Sequence, residues 1–272
     1  MFLKTGVWIL LLFIALSLHC RAQDSDSLQH ADSIKKFTNR GYFKSYITDV
    51  GEVLKAPLPN SRKNILLFGV FGTALTTSYF FDESVKAWSS EHKHRSIDVL
   101  CQYVFEPYGS GLYPLIITGS MYAIGSIIKD DKLRYTSMNT LKAVVISGAI
   151  ARIYKISFRR ERPSTASSNS EWFKSINNNS FISGHTTLAF AVSSMLFLEY
   201  KKTVWIPVVS SILALGAGYS RIYEDKHWLS DILAGAIIGY GTAYVVYKSK
   251  SWLTIIPQIN PNQVGISVDI RF

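Results

Sequence analysis

Three groups of residues in this 272-residue chain could act together on an anion. The first is basic: Lys155, Arg159, Arg160 and Arg162, followed by Pro163. Lys155, Arg159 and Arg162 fall at i, i+4 and i+7, so the spacing predicts one helical face carrying three cations. Such cations repel one another unless an anion sits between them, although a basic stop at a membrane surface has the same composition. The second group is Ser183-Gly184-His185, directly ahead of the apolar stretch 186–200. Ser183 suits a helix N-cap, Gly184 lets backbone approach a ligand, and the free N–H groups of a helix start favour an anion. A turn histidine is the plainer alternative. The third group is Ser220-Arg221, then His227 and Asp231. His227 and Asp231 are four apart, which predicts that one helical turn brings the carboxylate to the imidazole. A carboxylate on one ring nitrogen fixes the tautomer and leaves the other free to attack. A structural pair on a helix surface has the same spacing.

Helices must position these groups. Apolar stretches run over residues 65–81, 112–128, 141–156, 186–200, 204–219 and 229–247. Each is about the length of a short bilayer span, for which ~20 residues are needed. Gly, Ser and Thr are scattered through them, as where helices pack closely. The expectation is an all-α, six-helix bundle embedded in a membrane; burial inside a soluble bundle is the alternative. Residues 264–272 alternate apolar and polar side chains after the turn signal Asn260-Pro261-Asn262, which predicts a short C-terminal β-hairpin.

Composition agrees with a greasy scaffold. Apolar residues make up 48% of the chain and charged ones 18%, below the ~25% usual in soluble domains. The net charge of +10 favours anionic lipid or phosphorylated substrates. No long Lys/Arg run with interleaved aromatics is present, which argues against nucleic acid. Lys4, the apolar stretch 7–18 and Cys20-Arg21-Ala22 predict a signal peptide over 1–22, with an uncleaved anchor as the alternative. Cleavage would leave Cys101 as the one cysteine, so stability must come from packing. The expected divisions are the signal peptide, a polar segment at 23–64, the bundle at 65–250 and the hairpin tail at 251–272.

Taken together, Lys155-x6-Arg162-Pro163, Ser183-Gly184-His185 and Ser220-Arg221-x5-His227-x3-Asp231 are far more specific than any one of them. The set resembles the signature of the type 2 phosphatidic acid phosphatase and vanadium haloperoxidase superfamily. The motifs span 155–231, and the helix pattern extends the resemblance to about 65–250. One position departs from it: the superfamily usually has proline before the serine of the second motif, and this chain has Ile182. The resemblance implies a metal-independent phosphatase. His227 would be the nucleophile and would form a phosphohistidine. Asp231 would orient it, and His185 would protonate the leaving alkoxide. Lys155, Arg162, Arg221, Ser183 and the Gly184 amide would hold the phosphoryl oxygens. No cofactor is implied, and no carboxylate cluster suited to a metal stands out.

The substrate expected is a phosphorylated lipid, as monoester or pyrophosphate. A soluble, broad-specificity periplasmic acid phosphatase acting on small phosphate esters is the runner-up. A vanadate haloperoxidase, usually a longer chain, and a non-catalytic envelope scaffold are further alternatives. Trp172 and Phe173, in the loop between the first two motifs, suit either a lipid-facing loop or one anchored on its own core. Lys201, Lys202, Lys248 and Lys250 fall at the bundle end opposite the motifs, so the positive-inside rule puts the site in the periplasm. A cleaved signal followed by six spans would put it in the cytoplasm. The two agree only if an early stretch does not cross, the bundle is merely membrane-associated, or the signal is not one.

Overall fold

The computed structural model describes residues 39–55, 62–173, 179–248, 254–260 and 263–269. The expected signal peptide at 1–22 lies outside the described residues. In chain order the helices are α1 (Asn39–Lys55), α2 (Arg62–Glu91), α3 (Arg95–Leu100), a π turn (Cys101–Phe105), α4 (Glu106–Gly109), α5 (Leu112–Ile127), α6 (Asp131–Phe158), α7 (Gly184–Glu199), α8 (Trp205–Tyr223) and α9 (Leu229–Lys248). Two short strands, β1 (Thr254–Asn260) and β2 (Gln263–Asp269), pair antiparallel from Thr254↔Asp269 to Asn260↔Gln263.

The six apolar stretches correspond to α2, α5, α6, α7, α8 and α9. The helices exceed the expected six because the links are helical too. The π turn with its flanking α3 and α4 fills the polar connection before α5, and α1 precedes Pro57. Short helices of this kind draw stability from packing rather than from an apolar run, so a search for apolar stretches passes over them. Side chains set several boundaries. Asp130 Oδ1 accepts the Leu133 N–H at 2.9 Å to open α6, and Ser183 caps α7. Pro114 and Pro207 sit in first turns, where no helical N–H is lost.

Helix α7 is the axis of the bundle and packs on α6, α8 and α9. Its small residues Ala189, Ala191 and Val192 are fully buried. Helix α9 reaches its backbone through two glycines. A Cβ at Gly235 would stand 2.8 Å from the Ser183 carbonyl oxygen, and one at Gly239 would overlap the Thr187 carbonyl. Close approach of this kind needs a missing side chain.

Helix α6 buries polar side chains alongside the apolar Leu133, Ala143, Val144 and Ile146. Its buried side carries Thr136, Ser137, Asn139, Thr140, Lys142 and Ser147, while Val145, Ile153 and Ile156 are exposed. Three of these hydroxyls are satisfied locally: Thr140 donates to the Thr136 carbonyl at 2.7 Å, Ser137 to that of Arg134 at 2.7 Å and Ser147 to that of Val144 at 3.3 Å. The buried Lys142 ammonium meets Asp49 of α1 at 2.7 Å. Among the described residues, α8 and α9 are long and apolar enough to cross a membrane by length and composition.

The long helices alternate in direction. Helices α6 and α8 therefore end, and α7 and α9 begin, at one end of the bundle, which gathers all three sequence motifs. Lys201, Lys202 and Lys248 belong to the opposite end.

Gly239→Ala should lower unfolding stability by about 1–3 kcal/mol through overpacking. Gly241→Ala, with open space around the added methyl, should leave stability unchanged or slightly higher, because alanine is the better helix former. Thermal unfolding of both variants in detergent checks the pair.

Candidate active site

The deepest element of the site is a guanidinium. Helix α6 stops at Phe158 because Arg159 adopts a left-handed conformation at φ 44°. The chain turns there and drives Arg160 inward to complete burial. A buried cation is tolerable only when paired and hydrogen-bonded. Arg160 uses every donor it has. Nη1 donates to Asp231 Oδ1 at 2.7 Å and Ser230 Oγ at 2.8 Å. Nη2 donates to Asp82 Oδ2 at 2.6 Å and the Asn169 carbonyl at 2.8 Å, and Nε donates to that carbonyl at 3.1 Å. The rings of Trp172, Tyr79 and Trp228 lie 4.6, 5.3 and 5.2 Å from its Cζ. Asp82, from α2, also accepts the Ser230 N–H and hydroxyl at 2.8 and 2.7 Å, fixing the start of α9.

Asp231 is the third residue of α9, and its Oδ2 accepts the Trp228 N–H at 3.0 Å. An acidic side chain reaching back from this position to the residue before the helix is half of a capping box. The Ser180 hydroxyl donates to the same oxygen at 2.5 Å. His227 is held just ahead of the helix, its N–H on the Arg221 carbonyl at 3.1 Å. The four-residue spacing therefore does not form a helical turn, as the sequence predicted; Asp231 reaches His227 across a helix start. His227 Nδ1 lies 3.6 Å from Asp231 Oδ2 and 3.5 Å from Ser180 Oγ. That leaves Nε2 as the ring nitrogen clear of this carboxylate. Burial pushes the His227 imidazole down to about 3; Asp231 opposes this, and the charges of Lys155 and Arg162 add to it. It is therefore neutral near pH 7.

The second motif begins α7 as expected. Ser183 is the N-cap, and its Oγ accepts the Thr186 N–H at 3.4 Å and hydroxyl at 2.9 Å. Its N–H donates to the Asp231 carbonyl at 3.2 Å, which ties the second motif to the third. Gly184 faces Lys155: a Cβ there would stand 3.7 Å from Lys155 Cε. Lys155 Nζ donates to the Asn179 carbonyl at 2.5 Å. Arg221 is buried and paired with Glu224 at 3.0 Å and Glu106 at 3.7 Å. Glu106 also lies 3.4 Å from His185 Nε2.

Lys155, Arg162, Ser183, Gly184, His185, Arg221, His227 and Asp231 thus gather at one end of the bundle. One expectation needs correction. Arg159 does not share a helical face with Lys155 and Arg162, because α6 ends one residue before it. The two aromatics of the loop, left open between lipid and core, divide: Trp172 packs against Arg160 and within 5.3 Å of the Phe181 ring, while Phe173 is exposed. Ile182, in the usual proline position, is buried after a cis Phe181–Ile182 peptide. Sequence reasoning passed over Asp82, Glu106, Ser180 and Ser230, and gave Arg160 no role beyond membership of a basic cluster. Asp82 and Glu106 lie more than 40 residues from the first motif, and only folding brings them to it; a carboxylate ending an apolar stretch was the one available signal for Asp82.

Comparison with known proteins shows what the chain is similar to. Residues 137–255 match the model of the PAP2 superfamily. It is 27% identical to the lipid A 1-phosphatase of Porphyromonas gingivalis over 85% of this chain, and spans 47% of that relative's length. It is 23% identical to the undecaprenyl-diphosphatase BcrC of Bacillus subtilis, over 60% of this chain and 79% of that protein. The fold is that of a transmembrane PAP2-type phosphatidylglycerolphosphate phosphatase from Bacillus subtilis. The two superpose with a TM-score of 0.50 at 16% identity, covering 76% of this chain and 92% of that one.

Two outcomes follow from the buried charges. Arg160→Met strips both Asp82 and Asp231 of their cation, and should cost about 3–5 kcal/mol of stability, read from thermal unfolding. The depressed His227 makes the folded state bind fewer protons than the unfolded chain between its ordinary value of 6.5 and about 3. Its contribution to stability is therefore intact above pH 6.5 and falls as pH drops. At pH 5 the loss should be about 2 kcal/mol. His227→Gln should remove that part of the pH dependence, measured as the difference in unfolding midpoint between pH 7 and pH 5.

Proposed function

We propose that this chain is a metal-independent phosphatase of the bacterial envelope that hydrolyses phosphate monoesters or diphosphates of lipids through a phosphohistidine. The carrying observation is the geometry at His227. Its Nδ1 faces Asp231 and Ser180, its ring is neutral near pH 7, and Lys155 and Arg162 bring positive charge to it. A neutral imidazole with one nitrogen oriented and the other free is a nucleophile.

In the first step His227 Nε2 attacks phosphorus, the P–N bond forms and the bond to the leaving oxygen breaks. His185 gives its proton to that oxygen, so the product leaves as an alcohol. Lys155, Arg162 and Arg221 hold the equatorial oxygens with the Ser183 hydroxyl and the Gly184 N–H, where charge spreads in the transition state. In the second step water attacks phosphorus, His185 takes its proton, the P–N bond breaks and inorganic phosphate leaves. Asp231 stabilises the cationic imidazole between the two steps.

A lipid substrate is supported by the scaffold and by the relatives. Ile153 and Ile156 face outward, while Thr140, Lys142 and Ser147 face inward. Exposed apolar side chains over buried polar ones suit a bilayer better than water. The relatives named above carry the names of a lipid A phosphatase and an undecaprenyl-diphosphatase. The site would face the periplasm, since Lys201, Lys202 and Lys248 sit at the far end of the bundle.

His227→Ala should reduce phosphate release from a micellar lipid phosphate by at least about 10³-fold, as expected when a covalent nucleophile is lost. Activity of the unmodified protein should persist in chelator, and orthovanadate should compete with substrate. Near-normal turnover by a folded His227→Ala protein would sink the mechanism.

A further inference from the structure

Glu106 belongs to none of the three motifs, yet its carboxylate is placed against two of them. It opens α4, directly after the π turn, and an interrupted helix of this kind often marks a functional site. The segment is pressed onto the second motif. A Cβ at Gly109 would lie 2.6 Å from the His185 carbonyl oxygen, so only glycine allows this approach. The Glu106 carboxylate then sits 3.4 Å from His185 Nε2 and 3.7 Å from Arg221 Nη1. The contact with His185, and next the charge of Arg221, hold this carboxyl below its usual range against the effect of burial, so it is ionised at neutral pH.

An in-line displacement separates nucleophile and leaving group across phosphorus. With His227 attacking from one side, the leaving oxygen departs on the side of the proton donor, His185. Glu106 borders that position. A monoester releases a neutral alcohol there once His185 has given its proton. A diphosphate releases a second phosphate, which stays anionic and would approach a carboxylate. Like charges at such separations repel strongly in a partly desolvated site.

The charge balance points the same way. Among the described residues, the carboxylate ion pairs of the cradle's cations are made by Arg221, with Glu106 and Glu224. Lys155 meets a backbone carbonyl instead. Lys155 and Arg162 together match the two charges of a monoester dianion, and Arg221 has little charge to spare for a third.

We infer that Glu106 is a specificity-determining residue that favours lipid phosphate monoesters over diphosphates, by fixing a negative charge beside the proton donor where the leaving group departs. The inference rests on the phosphatase function proposed above, with His185 as the acid.

The test compares phosphatidic acid with diacylglycerol pyrophosphate, two lipids with the same tails, in the same micelles. Glu106→Gln keeps the size and hydrogen-bonding capacity of the side chain and removes its charge. It should raise the ratio of kcat/KM for the diphosphate to that for the monoester about tenfold. Glu106→Asp, which keeps the charge, should leave the ratio near that of the unmodified protein. If Glu106→Gln slows both substrates equally, Glu106 only orients His185 and the inference is wrong while the phosphatase function stands. If the unmodified protein hydrolyses neither lipid, the phosphatase function fails and the inference falls with it.

Discussion

Burying the Arg160 guanidinium is the constraint from which the rest of the site follows. An unpaired cation at that depth would cost several kcal/mol, so the fold must bring carboxylates to it. It recruits Asp82 from α2 and Asp231 from α9, with Ser230 bridging them. Two helices far apart in sequence are thereby locked to the end of α6. Asp231 is the shared member: one oxygen neutralises Arg160, and the other caps α9 and faces His227. The orientation of His227 is thus coupled to the same pairing that holds the helices together. Its short bonds go to Arg160 and Ser180, while the imidazole stays at 3.6 Å. The carboxylate is therefore fixed by the scaffold first and faces the imidazole second.

The bundle around this core obeys a second constraint, close backbone approach. Gly235 and Gly239 let α9 lie directly on the first turns of α7. This brings the Ser183 N–H to the Asp231 carbonyl and joins the second motif to the third. Side chains there would push the two helix starts apart, and a phosphate held between them would lose contacts on one side. Polar groups line part of the inside of α6, and the hydroxyls of Ser137, Thr140 and Ser147 each find a carbonyl one turn back. Polar interiors of this sort cost little when satisfied within a helix, and they leave apolar side chains to cover the outside.

Much of this was legible in the residues. Each of the six apolar stretches became a helix, because an apolar run of that length can satisfy its backbone only within itself. The three motifs were recognisable because phosphate binding needs particular residue types at helix ends, and ends are local. Ser183 as an N-cap depended on nothing beyond the residues next to it. Period alone misled at Arg159 and at His227. In both cases the four-residue spacing predicts a helical turn, but α6 ends at Phe158 and α9 starts at Leu229. Helix boundaries are where local patterning is weakest, since a single left-handed residue ends a helix without changing its apolar rhythm.

What the sequence determined by itself was the set of groups that could bind and attack phosphate, together with the helices that carry them. Tertiary structure alone decided which of the basic residues is structural and which faces the site. Arg160 and Arg162 are alike in type and two positions apart, yet the first is wholly buried against two carboxylates and the second is half-buried at the site. The same holds for Asp82 and Glu106, whose parts depend on helices returning from distant stretches of chain. Electrostatic roles are set by distance and burial, and neither exists until the helices pack.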